Sequence, residues 1–265
     1  MIVDVHTHVF PPRFIEERHR LLARDPAFAA LYASPKARMA TADALIASMD
    51  AAAVDVSVAC GFWWRDATLA AEHAAYLVEV AAASRGRIVP FVPGLAPPLG
   101  AGGVGEVRID PADDLAPLAE VARAHGLPLL VHCTEEPGHE YPGKHGGFTP
   151  GALWRFLRDY EDVRVVAGHW GGGLPFYALM PEVRAFFEAG RVLFDTAASP
   201  LLYDPRIFRT VSDLAGADVV AWGSDFPLRG QVADRAAVEA ALPDPEQRAA
   251  ILGGNAARFL GLTAT

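Results

Sequence analysis

Eight short apolar runs, rich in β-branched residues and separated by longer amphipathic stretches, leave this chain few folds to choose from. The runs are "IVDVH", "VDVSVAC", "IVPFVPG", "VGEVRID", "PLLVHC", "VRVVAGH", "VLFDTA" and "VVAWGSD". Between them, "TADALIASMDAAA", "ATLAAEHAAYLVEVAAAS", "DLAPLAEVARAHG", "TPGALWRFLRDY" and "LPFYALMPEVRAFFEAG" have helical periodicity, several with Thr or Asp near the start or Gly at the end. Strands alternating with helices predict a parallel sheet. Eight units in 265 residues predict an α/β protein, a single-domain (β/α)₈ TIM barrel spanning 1–265. A doubly wound open sheet is the competing architecture. Its support, "GAGGVG" at 100–105, satisfies G-x-G-x-x-G, yet these glycines precede a strand instead of following one, so the stretch reads as a loop. Residues 11–40 exceed what a barrel connection requires and are expected to fold over the barrel mouth as a loop or helical insertion.

Composition removes several classes of partner. Lys and Arg total 23 against 32 Asp and Glu, a net charge of −9 without a basic cluster, which argues against nucleic acid. No apolar run approaches the roughly 20 residues that span a bilayer. Asp4, His6 and His8 stand where a signal peptide would have basic and then apolar residues, so no membrane partner and a cytoplasmic location are expected. Cys60 and Cys133, each ending a strand-like run, are expected to be reduced thiols.

In a parallel barrel all strands point the same way, so residues at their C-terminal ends converge on one face. Here those residues are His6 and His8 on strand one, Glu106 on strand four, His132 on strand five, His169 on strand six and Asp225 on strand eight. Residues i and i+2 share a strand face, so His6 and His8 are expected to point together into the mouth. Any one of these histidines alone reads as a hydrogen-bonded rim residue. Four imidazoles and two carboxylates brought together would be costly to bury without a cation between them. Imidazole with carboxylate is a ligand set for zinc and related divalent ions, which makes Zn²⁺ the expected metal, as one or two ions.

Together "DVHTHVFPP", "GEVRID", "LLVHCTEE", "VVAGHWGGGLPF", "WGSDFPL" and "ILGGNAARFLGL" resemble the amidohydrolase superfamily, in particular the amidohydrolase-2 branch related to aminocarboxymuconate-semialdehyde decarboxylase. The resemblance covers nearly the whole chain and implies a metal-dependent barrel. It implies His6, His8, His132 and Asp225 as ligands, and His169 as a second-metal ligand or a catalytic acid or base. Glu106 departs from the decarboxylase pattern, since "GEVRID" is similar to the setting of the bridging glutamate in TatD-like hydrolases. A plain salt bridge from Glu106 to Arg108 is the alternative.

The leading expectation is therefore a metal-dependent hydrolase acting on a C–N or C–O bond of a small molecule. A metal-activated water is the nucleophile, with Asp225 and His169 catalytic. The alternative is a metal-dependent non-oxidative decarboxylase or hydratase of a small aromatic or unsaturated carboxylic acid, and a third reading is a barrel that binds without turnover. Substrate contacts are expected from Arg38 in the first loop, Trp63 and Trp64 after strand two, and His139, Tyr141 and Lys144 in the Pro/Gly-rich loop after strand five. His19, His73 and His125 lie in helical patterns and read as surface or rim residues. The oligomeric state is left open, a homo-oligomer included.

Overall fold

Each of the eight expected runs forms a strand, and the eight pair in parallel in sequence order. They are β1 Val3–His8, β2 Val56–Cys60, β3 Ile88–Val92, β4 Gly103–Val107, β5 Leu129–Val131, β6 Val165–Ala167, β7 Val192–Asp195 and β8 Val220–Ala221. The computed structural model describes residues 1–110 and 113–263. The seam between β8 and β1 is short because β8 has only two residues. It is closed by Val5 N–H donating to Trp222 O at 2.9 Å, Asp225 N–H to His6 O at 2.9 Å and His8 N–H to Phe226 O at 2.6 Å. The chain is thus a TIM barrel and a single domain.

Two apolar layers hold it together. Val3, Val5, Val58, Phe91, Leu130 and Val166 fill the barrel interior, and Ala256 and Phe259 of the helix Asn255–Leu260 join that cluster. Outside, a larger cluster packs the strands against the surrounding helices. Helix starts follow the expected chemistry: Thr41, Asp66 and Thr149 each accept from a backbone N–H of the first turn. One expected helix is broken. "LPFYALMPEVRAFFEAG" forms a 3₁₀ turn, Leu174–Tyr177, and a separate helix, Pro181–Glu188, because Pro181 has no N–H to continue the ladder and sits at a helix start.

The segment 11–40 contains three short helices, Pro12–Glu16, Arg18–Arg24 and Pro26–Tyr32. They pack through Phe14, Leu21 and Phe28 on Phe10, Phe62 and Trp64. At the centre of this aromatic cluster lies His73, which is fully buried, contrary to the expectation of a surface or rim residue. Its Nε2 lies 2.7 Å from Val9 O and its Nδ1 accepts from Trp64 Nε1–H at 3.0 Å, so one neutral tautomer satisfies both contacts. Burial lowers its pKa from 6.5 to about 4.

The sign of the pH effect follows. The unfolded chain binds a proton below pH 6.5 that folded His73 refuses until about pH 4, so its stabilising contribution is complete above 6.5 and is lost as pH falls toward 4. The loss is roughly 3 kcal/mol. Denaturant unfolding of wild type and His73→Gln across this window is expected to show a shallower pH slope in the variant. Parallel slopes would refute the assignment.

Candidate metal centre

The site is assembled where the sheet is irregular. The β1–β2 register shifts between Asp4 and Thr7, and the β4–β5 register shifts between Val104 and Val107. Such irregularities re-aim side chains. Val3 and Val5 therefore belong to the interior plug, while the His6 and His8 rings meet at the mouth with their Nε2 atoms 3.1 Å apart. Glu106 sits in the second irregularity. Gly105 before it has no room for a side chain, since a Cβ there would lie 2.7 Å from Leu130 O.

Glu106 gathers the other strand ends. Its Oε1 lies 3.6 Å from His6 Nε2, 3.6 Å from His169 Nε2 and 2.7 Å from His132 Nδ1. Its Oε2 lies 3.8 Å from His8 Nε2 and 3.7 Å from Arg108 Nη2. Burial works against the charge on Glu106, but Arg108 and His132 hold the carboxyl well below the usual range. The simple salt bridge with Arg108 is thus one contact among five. His132 is held down at about 4 by burial and by Arg108, which keeps the ring neutral with a single proton. That proton decides its contacts. On Nδ1 it is donated to Glu106; on Nε2 it is donated to Gly143 O at 3.0 Å, and Nδ1 then accepts from Arg108 at 3.2 Å.

Asp195, at the end of β7, was not among the expected site residues, and it organises two of them. Its Oδ2 lies 2.8 Å from His6 Nδ1, and its Oδ1 accepts from the backbone N–H groups of His169 and Ala197 at 2.9 and 3.0 Å. A carboxylate behind a metal-binding imidazole fixes its tautomer and aims the other nitrogen outward. Burial would lower His6, but Asp195, followed by Glu106 and Asp225, carries its pKa up to about 10. A proton or a divalent cation answers the same field. The run "VLFDTA" held the signal, a carboxylate at a strand end like the others. Asp195→Asn is expected to weaken divalent-ion affinity by about 10–100-fold. Chelator competition measures this, and unchanged affinity would exclude an orienting role.

His169 and Asp225 both have left-handed backbone, with φ of 54° and 63°. After His169 the left-handed path continues to Gly172, where a Cβ would lie 2.5 Å from Thr134 O. His169 Nδ1 lies 3.1 Å from Ala197 O, so a proton there is donated to that carbonyl and Nε2 is left facing the cluster. Burial would lower its pKa, but Glu106 and Asp225 raise it. Asp225 Oδ1 lies 3.3 Å from His8 Nε2 and 4.0 Å from His6 Nε2. Burial opposes its ionisation, and the hydrogen bond from His8 with the nearby His6 and His169 depresses it far below the ordinary value.

These distances suit a divalent ion. Two donors each about 2.0–2.2 Å from one ion lie about 3 Å or slightly more apart. In two triads, His6–His8–Asp225 and His6–Glu106–His169, one donor atom from each residue lies within 4.8 Å of the others, near enough to close onto one ion, and His6 is common to both. His132, expected as a ligand, falls in neither triad; its nitrogens face Glu106, Arg108 and Gly143 O.

A cavity of about 520 Å³ opens over the cluster. Of the residues expected to contact substrate, Arg38, His139 and Tyr141 line it, with Tyr32, Phe62 and Leu201 adding apolar wall. Trp63, Trp64 and Lys144 do not line it. Trp64 lies in the aromatic cluster under the first loop, and Trp63 packs on the outer core. Lys144 is buried, with Nζ donating to the carbonyls of Pro137, Gly138 and His139, so it fastens its own loop instead of facing a ligand. Phe62, one residue earlier than the tryptophans, takes the place expected of them.

Comparison with known proteins agrees with this architecture. The amidohydrolase family model matches residues 102–262. Among solved structures, 5-carboxyvanillate decarboxylase from Sphingomonas paucimobilis superposes with a TM-score of 0.74 at 18% identity, covering 99% of both chains. The 5-carboxyvanillate decarboxylase of Novosphingobium aromaticivorans, complexed with manganese and 4-hydroxy-3-methoxy-5-nitrobenzoic acid, gives 0.75 at 16% identity, covering 99% of this chain and 96% of the other. 2,6-Dihydroxybenzoate decarboxylase from Rhizobium gives 0.72 at 14% identity, covering 98% of each. Among curated proteins, no sequence matches this chain.

Proposed function

We propose, from the premise that this chain belongs to the amidohydrolase family, that it is a metal-dependent non-oxidative decarboxylase of a small aromatic or conjugated carboxylic acid. His6, His8 and Asp225 would hold the ion, with Glu106 beside them. When bound, a divalent ion orients the acid's oxygens and stabilises negative charge as it develops. The observation that carries the reading is the placement of His169. It is a buried imidazole anchored through Nδ1 to Ala197 O, raised in pKa by the carboxylates, with Nε2 directed toward the cluster at the cavity floor. That is the arrangement of a proton donor. His169 Nε2–H protonates the carbon bearing the carboxylate; the C–C bond then breaks, its electron pair returns to the conjugated system, and CO₂ leaves. Asp225, depressed far below its ordinary pKa, stays ionised and would act as a ligand, not as an acid.

The folds shared with decarboxylases of 5-carboxyvanillate and 2,6-dihydroxybenzoate support this order of readings over hydrolysis. The cavity, about 520 Å³ with apolar walls, suits a substituted aromatic ring. The manganese named in the Novosphingobium complex makes Mn²⁺ the first ion to load, ahead of the zinc expected from donor types alone. Hydrolysis of a C–N or C–O bond is the second reading, favoured by Glu106, whose Oε1 faces His6 and His169 while its Oε2 faces His8, an arrangement that would suit a ligand between two ions.

Product analysis separates them. Manganese-loaded protein given carboxylated phenols is expected to release CO₂ and the decarboxylated phenol in equal amounts, with about one ion per chain. Hydrolysis of lactones, esters or amides at about two ions per chain, without CO₂ from any acid, would overturn the decarboxylase reading.

A further inference from the structure

The charges that line the cavity do not balance. Three cationic side chains, Lys36, Arg38 and Arg108, face it against two carboxylates, Glu106 and Asp225. Both carboxylates belong to the ion triads, so a divalent ion offsets them and leaves three cations for whatever enters. This occurs in a chain whose net charge is −9, so the excess of cations over carboxylates in the cavity lining runs against the sign of the whole chain.

Lys36 and Arg38 are exposed on the first loop, whereas Arg108 lies deep, its side chain 16% exposed. Its position is fixed by the protein. Nη1 donates to Gly143 O at 3.1 Å, and Nη2 stands 3.2 Å from His132 Nδ1 and 3.7 Å from Glu106 Oε2. A guanidinium has five N–H donors in a rigid fork, and these contacts engage only part of them. The remainder is a planar donor set suited to a carboxylate.

We propose that Arg108 clamps a second carboxylate of the substrate, one that is retained through the reaction, so that the preferred substrates are dicarboxylic acids. This deepens the decarboxylation reading and rests on it for the fate of the other carboxylate. The physical reason concerns charge. A carboxylate that departs as CO₂ loses its negative charge, and a guanidinium bound to it would stabilise the ground state against that loss. A fixed cation is useful on the group that stays ionised. There it anchors the ring or conjugated chain equally in the ground and transition states. Lys36 and Arg38 at the entrance add long-range attraction for a dianion.

The test reads binding separately from turnover. Manganese-loaded wild type, Arg108→Lys and Arg108→Gln are titrated calorimetrically with isophthalate, terephthalate and benzoate, after ion content and circular dichroism are measured on each variant. The better dicarboxylate is expected to bind wild type about 10–100-fold more tightly than benzoate. Arg108→Gln should erase that preference while leaving benzoate affinity and ion content unchanged, and Arg108→Lys should keep part of it. Equal binding of mono- and dicarboxylates by wild type would overturn the clamp. So would equal weakening of all three probes in Arg108→Gln, or loss of its ion, since Arg108 would then act by supporting Glu106 and His132. If no acid releases CO₂ yet the preference depends on Arg108, decarboxylation fails and the clamp stands. If dicarboxylates are decarboxylated with the same kcat/KM by wild type and Arg108→Gln, the clamp fails and decarboxylation stands.

Discussion

Replacing His8 with alanine is expected to lower divalent-ion affinity by more than about 100-fold and to abolish turnover while the barrel stays folded. Removing only an outer partner of a metal ligand costs about 10–100-fold, so a lost ligand should cost more. His8 is a cleaner test than its neighbour. His6 is fully buried against Asp195, and truncating it leaves a buried carboxylate without its imidazole, which is itself destabilising. The His8 side chain is 14% exposed and its contacts are to other members of the cluster, so its loss touches little else. Ion content by mass spectrometry and thermal unfolding, measured on the same preparation, decide the matter. Stoichiometric ion retained after ordinary dialysis would remove His8 from the ligand set.

The second large effect is expected from Asp225→Asn. Asparagine has nearly the same volume and is among the few residues that tolerate a φ of 63°, so the backbone that donates from Asp225 N–H to His6 O is preserved. What is lost is the negative charge. With manganese in excess to offset weaker binding, kcat is expected to fall about 10²–10⁴-fold while KM changes far less, because charge stabilisation matters most in the transition state. A kcat within a few-fold of wild type would leave Asp225 no part in the chemistry.

Much of the architecture was legible because strand periodicity and strand ends are local properties. The eight runs, the parallel order and the meeting of His6, His8, Glu106, His169 and Asp225 at one mouth all follow from a repeating βα unit. Ring orientation is not local. His132 lies at the mouth, yet its nitrogens face Glu106 and Arg108 from β4 and its end on one side and Gly143 O from its own loop on the other, neighbours that strand periodicity does not specify. The tryptophans illustrate a different limit. "GFWWRD" gives no sign of which aromatic faces the cavity, and the three helices of the first loop draw Trp64 under themselves, leaving Phe62 on the wall. His73 reads as polar on a helix, and only the carbonyl of Val9 and the indole of Trp64 make its burial tolerable. Asp195 could have been found, because a barrel brings every strand end to the same face.

The barrel's weakest hydrogen-bonded join and its metal-type ligands occupy the same stretch of chain. Two of the seam's backbone bonds involve Asp225 with His6 and His8 with Phe226, and His6, His8 and Asp225 also supply side-chain donors from opposite sides of the join. An ion held there acts as a clasp across the gap that a two-residue β8 leaves short of ladder bonds. Local opening at this seam and escape of the ion are then one event, with the bound ion stabilising the closed form by mass action. Amide exchange at Val5, His8 and Asp225 should therefore report ion occupancy, and a chain starved of its ion should age first at the place where its chemistry is done.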